Sequence, residues 1–315
     1  MGVLGRAGGV PTRLPGSPSD MLPGGGTVET VQWLPWSDAS VAAVGAAAAT
    51  RTLGSRRSGG GRWSRARPAV AAWTRELSVM FALYALWQLA GSLSLAQVSG
   101  AVARGAAIER FERRLPVPTE AWVQHLVLAD RWLLRVFNIY YVGLHVAVTG
   151  ACLVWVFARH RERYPVVRNA LALATGASLL VALVPVAPPR LVPGLGLVDT
   201  GRLVGPTVYP ATARPGLDQL SAMPSVHVAW AIVVAAAVVY VLRSRWRWLA
   251  VTYPFATLFI VIATGNHYWA DGLVAALLCA AALVVATRLD RISRWRAQPP
   301  QPALASEDDP VPTGS

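Results

Sequence analysis

Six long apolar runs, separated by arginine-bearing segments, dominate the chain from residue 77 onward. The runs cover approximately 77–98, 134–158, 168–187, 225–242, 248–264 and 268–288. A helix needs about 20 apolar residues to cross a bilayer, and each run is close to that length. The chain is also 54% hydrophobic and only 14% charged, which is too apolar for an ordinary soluble domain. The sequence therefore predicts an all-α integral membrane bundle of six transmembrane helices.

Both ends of the chain differ in composition from the apolar middle. Residues 1–72 are rich in Gly, Pro, Ala and Arg without a periodic apolar face, and residues 297–315 are Pro-rich and acidic. Such segments bury too little apolar surface to fold alone, so we predict two disordered tails. The membrane domain is then predicted to cover 73–296. The early arginines do not border a signal-peptide core, so we expect no cleaved signal.

Arginine placement predicts the orientation in the membrane. The arginines cluster in the N-terminal tail, in the 159–168 and 243–247 turns, and in the flank from residue 288. With six spans these segments share one side, which the positive-inside rule assigns to the cytoplasm. We expect a multi-pass plasma-membrane protein with both termini cytoplasmic. The net charge of +13 is explained by this topology, so we predict no nucleic-acid partner.

The segment between the first two runs, residues 101–133, has a different pattern. It mixes arginines and glutamates with apolar positions such as Ile108, Phe111 and Trp122. Mixed charge beside apolar positions is typical of amphipathic helices that lie in the membrane interface. We predict two short interfacial helices here.

Two histidines, His227 and His267, carry the strongest functional signal. They are 40 residues apart, which is enough chain to cross a bilayer and return, so both lie on the same, extracytoplasmic side. Ser225 precedes His227 as a capping residue, and Asn266 precedes His267 in the same way. Two helix N-termini then face one spot, and their N–H groups favour an anion there.

Asp271 follows His267 by four residues, so the two side chains share a helix face. A carboxylate in that position can accept the imidazole N–H and orient the ring. The residues alone do not assign which imidazole attacks. A metal site would also use histidines, but only one carboxylate lies nearby and the helix N-termini would repel a cation, so we predict neither metal nor cofactor.

Cations of the third span's end and of the following loop are candidates for binding a phosphate. Arg190 comes directly after a proline cluster at the same membrane surface as the histidines, and a guanidinium binds phosphate oxygens in pairs. The alternative is a snorkelling anchor. The 189–222 loop adds Arg202 and Arg214. Within the second span, Asn138, Tyr141 and His145 are interpreted as interhelical hydrogen-bonding residues rather than substrate contacts.

Several motifs resemble those of a known family. Residues 224–227 read PSVH and residues 265–271 read GNHYWAD, which resemble the second and third motifs of the type 2 phosphatidic acid phosphatase superfamily. Residues 187–190 read APPR, which resembles the first motif of the membrane branch that includes the inositolphosphorylceramide synthases. Residues 138–145, NIYYVGLH, are similar to a polar stretch of that branch.

The resemblance implies specific roles. His267 would be the nucleophile that forms a phosphohistidine, His227 the acid and then the base, and Asp271 the residue that orients His267. Two phosphate-binding cations of the phosphatases are replaced here by Leu183 and Val261. Arg190, Ser225 and the helix N-termini are then expected to hold the phosphate, with Arg202 or Arg214 as additional cations.

Three functions remain open from the sequence. The leading hypothesis is a phosphotransferase that takes a lipid phosphate or phospholipid as donor and a polyol or another alcohol as acceptor. Its rival is a lipid phosphate phosphatase, acting on a polyprenyl phosphate or phosphatidic acid, in which water replaces the alcohol. A third hypothesis, a non-enzymatic membrane transporter or scaffold, predicts that both histidines are dispensable.

Overall fold

The computed structural model describes residues 34–55, 62–93, 99–207 and 219–297. Eleven α-helices occur in these ranges, and no β-strand does. They are α1 Trp36–Ser55, α2 Arg62–Leu93, α3 Ala101–Glu112, α4 Glu120–Leu128, α5 Arg131–Ile139, α6 His145–Arg159, α7 Tyr164–Ala182, α8 Thr200–Val204, α9 Val226–Val241, α10 Thr252–Ala263 and α11 Trp269–Ala297. A π-helical turn, Tyr140–Leu144, joins α5 to α6, and 3-10 turns cover Pro189–Leu191 and Arg245–Val251.

Five helical stretches of the described residues are long and apolar enough to cross a membrane. They are Ala66–Leu86, Arg131–Arg159, Tyr164–Ala182, Arg245–Ala263 and Trp269–Arg296. The remaining predicted span, 225–242, corresponds to α9, which is apolar but has only 16 residues, or about 24 Å at 1.5 Å per residue. The third predicted span reached residue 187, yet α7 ends at Ala182 because Pro185, Pro188 and Pro189 lie just beyond it.

The core of the bundle forms around α9. Apolar residues such as Val228, Ala229 and Val234 are buried on several sides of this helix. They form one cluster with buried residues of α6, α7, α10 and α11. A helix that is apolar around its whole circumference belongs in the interior, and small side chains let neighbouring helices approach closely.

The predicted N-terminal tail is partly helical, which differs from the expectation of disorder over 1–72. The alanine-rich segment forms α1, and its Thr50 hydroxyl donates to the Thr74 hydroxyl of α2 at 2.9 Å. Ser78 of α2 donates to the carbonyl oxygen of Ala43 at 2.9 Å. Alanine is the best helix former, and pairing with α2 gives the short apolar run a partner. Residues 1–33 and 298–315 lie outside the described ranges, and the predicted domain boundary stays a prediction.

Contacts gather the arginine-rich segments at one end of the bundle. Arg163, in the turn before α7, donates to the carbonyl oxygen of Val241 at 2.8 Å. Arg294 of α11 donates to the carbonyl oxygen of Glu162 at 2.7 Å. Arg168 forms an ion pair of 2.9 Å with the buried Glu76 of α2. Because Val241 ends α9 and His227 begins it, this arginine-rich end is opposite the histidines.

Helices α3 and α4 turn their carboxylates inward and their large apolar side chains outward. Glu109, Glu112 and Glu120 are buried, whereas Phe111 and Trp122 are more than half exposed. One oxygen of Glu112 accepts from the backbone N–H of Ala270, in the first turn of α11, at 2.6 Å. The two predicted short helices therefore exist, with polar contacts to the start of α11.

The pKa of Glu112 is raised to about 9, first by burial and then by its hydrogen bond to Glu120 and the charge of that carboxyl. An unfolded glutamate titrates near 4.5, so the folded chain retains a proton that the unfolded chain releases between these values. The stabilisation from this group is therefore complete below about pH 4.5 and is lost as the pH rises towards 9.

We predict that Glu112→Gln reduces this pH dependence, since the amide can accept from Ala270 without titrating. The melting temperatures of both proteins in detergent should be compared at pH 5, 6.5 and 8. The native protein should lose stability relative to the variant as the pH rises. Glu162→Gln, at an exposed carboxyl, is the matched control and should leave the pH profile unchanged. Parallel profiles for Glu112→Gln and the native protein would refute the assignment.

Candidate active site

His267 lies in the short connection between α10 and α11. Helix α10 ends in a Schellman motif, in which Asn266 N–H donates to the Val261 oxygen at 3.1 Å and Gly265 N–H to the Ile262 oxygen at 2.8 Å. Gly265 has φ +72°, the left-handed conformation that this motif requires and that glycine adopts without strain. The prediction that Asn266 caps the next helix is wrong, because its side chain bonds back to Thr264.

Two acceptors hold the Nδ1 atom of His267. It lies 2.7 Å from the carbonyl oxygen of Ala222 and 3.1 Å from Oδ2 of Asp271. Because a carbonyl oxygen can only accept, Nδ1 carries the proton. The lone pair of the neutral ring is then on Nε2, which is buried and has no hydrogen-bond partner among the described residues. This is the tautomer that a nucleophilic imidazole requires.

Asp271 is fully buried and serves two partners with one oxygen. In addition to His267, its Oδ2 accepts from the backbone N–H of Tyr268 at 2.8 Å. The same carboxylate therefore caps the start of α11 and orients the imidazole. The N–H of Tyr268 donates to Asp271 and the N–H of Ala270 donates to Glu112. Both amides at the start of α11 are therefore already bonded to carboxylates, and the prediction that they bind an anion is wrong.

His227 lies in the first turn of α9, where Ser225 is the N-cap and its hydroxyl accepts from Val228 N–H at 3.4 Å. The ring centroids of His227 and His267 are 5.7 Å apart. The Nε2 atom of His227 lies 3.1 Å from the carbonyl oxygen of Tyr141. That bond places a proton on Nε2 and leaves Nδ1 to exchange a proton. The structure thus brings both predicted histidines together.

The second span contributes two rings that sequence reasoning assigned to interhelical bonding. Tyr141 stacks on His227 with centroids 4.3 Å apart and 15° between the planes. The centroid of His145 is 4.1 Å from that of His227. Asn138 does bind as predicted, but its partners are the loop oxygens of Thr200 and Gly205. The sequence did contain a signal for this role, because His145 is an ionisable residue inside an apolar span, and such residues usually have a function.

Arg190 is buried rather than snorkelling, since only 2% of its side chain is exposed. Its guanidinium pairs with Asp199 at 3.4 Å and donates to the side-chain oxygen of Asn266, next to His267. Arg202 pairs with the same Asp199 oxygen at 3.6 Å but is 44% exposed. Arg190 therefore lies at the site and Arg202 at its rim, while Arg214 falls outside the described residues.

A small pocket, called the polar pocket for the side chains that line it, lies between the second span and the loop. Its lining includes Asn138, Tyr141, Arg190, Asp199, Thr207 and Asn266. Tyr141 and Asn266 belong both to this lining and to the surroundings of the histidines. The pocket therefore lies next to the imidazole cluster.

Gln124, a fully buried residue of α4 that the sequence did not single out, holds the loop in place. Its amide donates to the oxygens of Val198 at 3.0 Å and Ala263 at 3.2 Å, and its oxygen accepts from Val198 N–H at 2.7 Å. This side chain joins the loop that carries Asp199 to the end of α10. A single glutamine in an amphipathic pattern offers no sequence signal for such a role.

The family model described as the PAP2 superfamily matches residues 106–285. The chain belongs to the PAP2 superfamily. The match covers more than half of the chain and includes the segments that carry Arg190, His227, His267 and Asp271. Searches of curated proteins and of solved structures found no significant match.

Membership of the PAP2 superfamily indicates an enzyme of the phosphatase or phosphotransferase type that acts on lipid phosphates. The two positions at which the phosphatase motifs have a cation and this chain has an apolar residue are Leu183 and Val261. Val261 is fully buried in the core and Leu183 is partly exposed at the end of α7. In this member of the PAP2 superfamily, Arg190 is therefore the buried cation nearest to His267 among the motif positions.

We predict that Gly265→Ala destabilises the protein by about 1–2 kcal/mol, the usual penalty of a left-handed conformation for a residue with a Cβ atom. The new Cβ would also lie 3.2 Å from Nε2 of Gln124 and 3.3 Å from Cβ of Arg190. Thermal unfolding in detergent measures the effect. Gly176→Ala, inside α7 with open space around it, is the control and should be neutral or stabilising. Equal melting temperatures for the two variants would contradict the prediction.

Proposed function

We propose that this protein is a membrane phosphotransferase that acts on a lipid phosphate or phospholipid through a phosphohistidine on His267. The observation that carries the proposal is the state of the His267 ring. Its Nδ1 proton is held by Ala222 and Asp271, and its Nε2 lone pair has no partner among the described residues. The centroid of the second imidazole, His227, lies 5.7 Å from that of His267. The two rings are therefore close enough for one to contact the phosphorus atom and the other its leaving oxygen.

The proposed reaction has two displacements. In the first, Nε2 of His267 forms a bond to phosphorus and the bond from phosphorus to the leaving oxygen breaks. His227 enters this step as the imidazolium, with both ring nitrogens protonated, and transfers its Nδ1 proton to that oxygen. In the second, His227 Nδ1 takes the proton of an acceptor hydroxyl, the acceptor oxygen bonds to phosphorus, and the N–P bond breaks. Splitting the transfer in this way lets one imidazole serve as acid and then as base.

Asp271 and Arg190 have separate proposed roles. Asp271 orients the ring of His267 and stabilises the positive charge that develops on it during attack. Arg190, with Asn266 and Asp199 fixing its guanidinium, binds the phosphate oxygens. The Ser225 hydroxyl, which accepts from Val228 N–H, keeps its own O–H to donate to the phosphate. Arg202 assists at the rim, and Arg214 remains a candidate from the sequence alone.

The polar pocket favours a transferase over a phosphatase. Water needs no dedicated site, whereas an acceptor alcohol needs hydrogen-bonding groups beside the phosphohistidine. Asn138, Asp199 and Thr207 line the pocket beside Arg190, where a small hydroxylated molecule would contact their polar atoms. The resemblance to inositolphosphotransferases is consistent with this choice. A lipid phosphate phosphatase is the alternative and would use the same residues with water as acceptor.

We further propose six spans, made up of the five long apolar stretches and the shorter α9, with cytoplasmic termini and an extracytoplasmic site in the plasma membrane. Arginine-rich segments at the opposite end from the histidines support this orientation. Exposed aromatic side chains on α3 and α4 support an interfacial position for these helices.

We predict that His267→Ala abolishes transfer and that Asp271→Asn lowers the rate about 100-fold or more, because catalytic triads lose a comparable or larger factor when the orienting carboxylate is removed. Purified protein should be incubated with ³²P-labelled lipid phosphates, with and without inositol, and acid-labile protein phosphate should be measured. His125→Ala, at an exposed position of α4, is the control and should retain native activity.

Each outcome of this assay selects one function. Phosphate transfer to the polyol supports the transferase. Release of inorganic phosphate at the same rate with and without polyol would favour the phosphatase instead. Full activity of His267→Ala would overturn the phosphohistidine mechanism for the transferase and for the phosphatase. That result is the one expected of a transporter or scaffold.

The topology has its own prediction. Pro193→Cys, in the exposed loop after Arg190, should react with a membrane-impermeant maleimide in intact cells, whereas Ser244→Cys should react only after permeabilisation. The native cysteines Cys152 and Cys279 are buried, so the unaltered protein is the blank. Labelling of Ser244→Cys but not of Pro193→Cys in intact cells would show that the orientation is the opposite of the proposed one.

A further inference from the structure

The second span widens by one residue where it passes the histidines. In an α-helix the His145 N–H would bond to the carbonyl oxygen of Tyr141, four residues earlier. Here it bonds to Tyr140 instead, five residues earlier, which defines the π-helical turn Tyr140–Leu144. Such turns are rare and are often found at functional sites.

This wide turn removes the usual donor from the Tyr141 carbonyl and presents that oxygen to another helix. The Nε2 atom of His227 occupies it at 3.1 Å. The ring of Tyr141 then stacks on the same imidazole at 4.3 Å between centroids. One residue therefore provides both a hydrogen bond in the plane of the His227 ring and a contact with its face.

His145 completes the surroundings of His227 one helical turn further on. Its centroid is 4.1 Å from that of His227, with 45° between the planes. Its own Nδ1 lies 3.2 Å from the carbonyl oxygen of Tyr140, so the ring cannot rotate without losing a buried hydrogen bond. Trp230, one turn along α9 from His227, also contacts His145, at 5.8 Å between centroids.

We propose that Tyr141 and His145 are positioning residues, and that the wide turn exists to determine which nitrogen of His227 exchanges the proton. A proton kept on Nε2 by the Tyr141 oxygen makes Nδ1 the atom that protonates the leaving oxygen and later deprotonates the acceptor. Without this hold the imidazole can adopt the other tautomer and turn its working nitrogen away. The inference rests on the proposed function, because it assigns His227 the proton transfers of that mechanism.

Two substrates whose leaving groups differ in their need for a proton can separate a positioning role from a merely structural one. An alkoxide leaving from a lipid phosphate needs a proton, whereas 4-nitrophenolate is stable enough to leave without one. Loss of correct proton delivery should therefore slow dioctanoyl phosphatidic acid much more than 4-nitrophenyl phosphate. A smaller fraction of folded protein lowers both rates equally and leaves their ratio unchanged.

We expect Tyr141→Leu and His145→Ala to raise the ratio of kcat/KM for 4-nitrophenyl phosphate over phosphatidic acid by about 10- to 100-fold, the scale of a misplaced catalytic group. His227→Ala should raise it at least as much. Tyr141→Phe should return the ratio towards the native value, because it keeps the ring that stacks on His227, whereas the backbone carbonyl is present in both variants. Leu144→Ala, in the same turn with its side chain exposed, is the control and should leave the ratio unchanged.

Three outcomes would overturn the inference, and they can be told apart. An unchanged ratio in Tyr141→Leu and His145→Ala, with His227→Ala shifted, would show that these residues only support the fold. An unchanged ratio in His227→Ala as well would remove the acid role of His227. Full activity of His267→Ala, or turnover of neither substrate by the native protein, would instead overturn the proposed function on which the inference rests.

Discussion

The protonated Nδ1 atom of His267 is shared by two buried acceptors, the carbonyl oxygen of Ala222 and the carboxylate of Asp271. A polar group buried without a partner is costly in a low-dielectric interior, so these bonds hold the ring in one orientation. Ala222 precedes α9 and Asp271 belongs to α11. The bonds to one imidazole therefore connect the starts of the two helices that carry the catalytic candidates.

Most of the site is built from segments between helices. The connection that carries Gly265 and Asn266, the segment around Arg190 and the loop at Val198 all meet there, and buried side chains such as Gln124 satisfy their backbone groups. Irregular backbone at the depth of a membrane is tolerated only when protein surrounds it. The packed spans around α9 supply that enclosure, and the π-helical turn of the second span extends it to His227.

The sequence predicted the parts of this arrangement that depend on short-range spacing. The apolar runs identified α6, α7, α10 and α11 because their length and composition are properties of consecutive residues. Asp271 was matched to His267 by the four-residue spacing of a helix face, and the contact forms because Asp271 bonds back to the segment that precedes α11. The prediction of a disordered tail was wrong for α1, because its alanine-rich run packs against α2, which lies in a separate stretch of sequence. The cap assigned to Asn266 was wrong because Gly265 ends one helix before the next begins.

The chain alone determined that several apolar helices place two histidines at the same end of a bundle, since the number of residues between them and their hydropathy require it. Only the tertiary structure decided which ring nitrogens hold protons, that Arg190 is buried beside Asn266, and that Tyr141 and His145 enclose His227. These features depend on backbone carbonyls and ring contacts between helices distant in sequence. A carbonyl is present in every residue, so its availability is invisible until the fold shows what it faces.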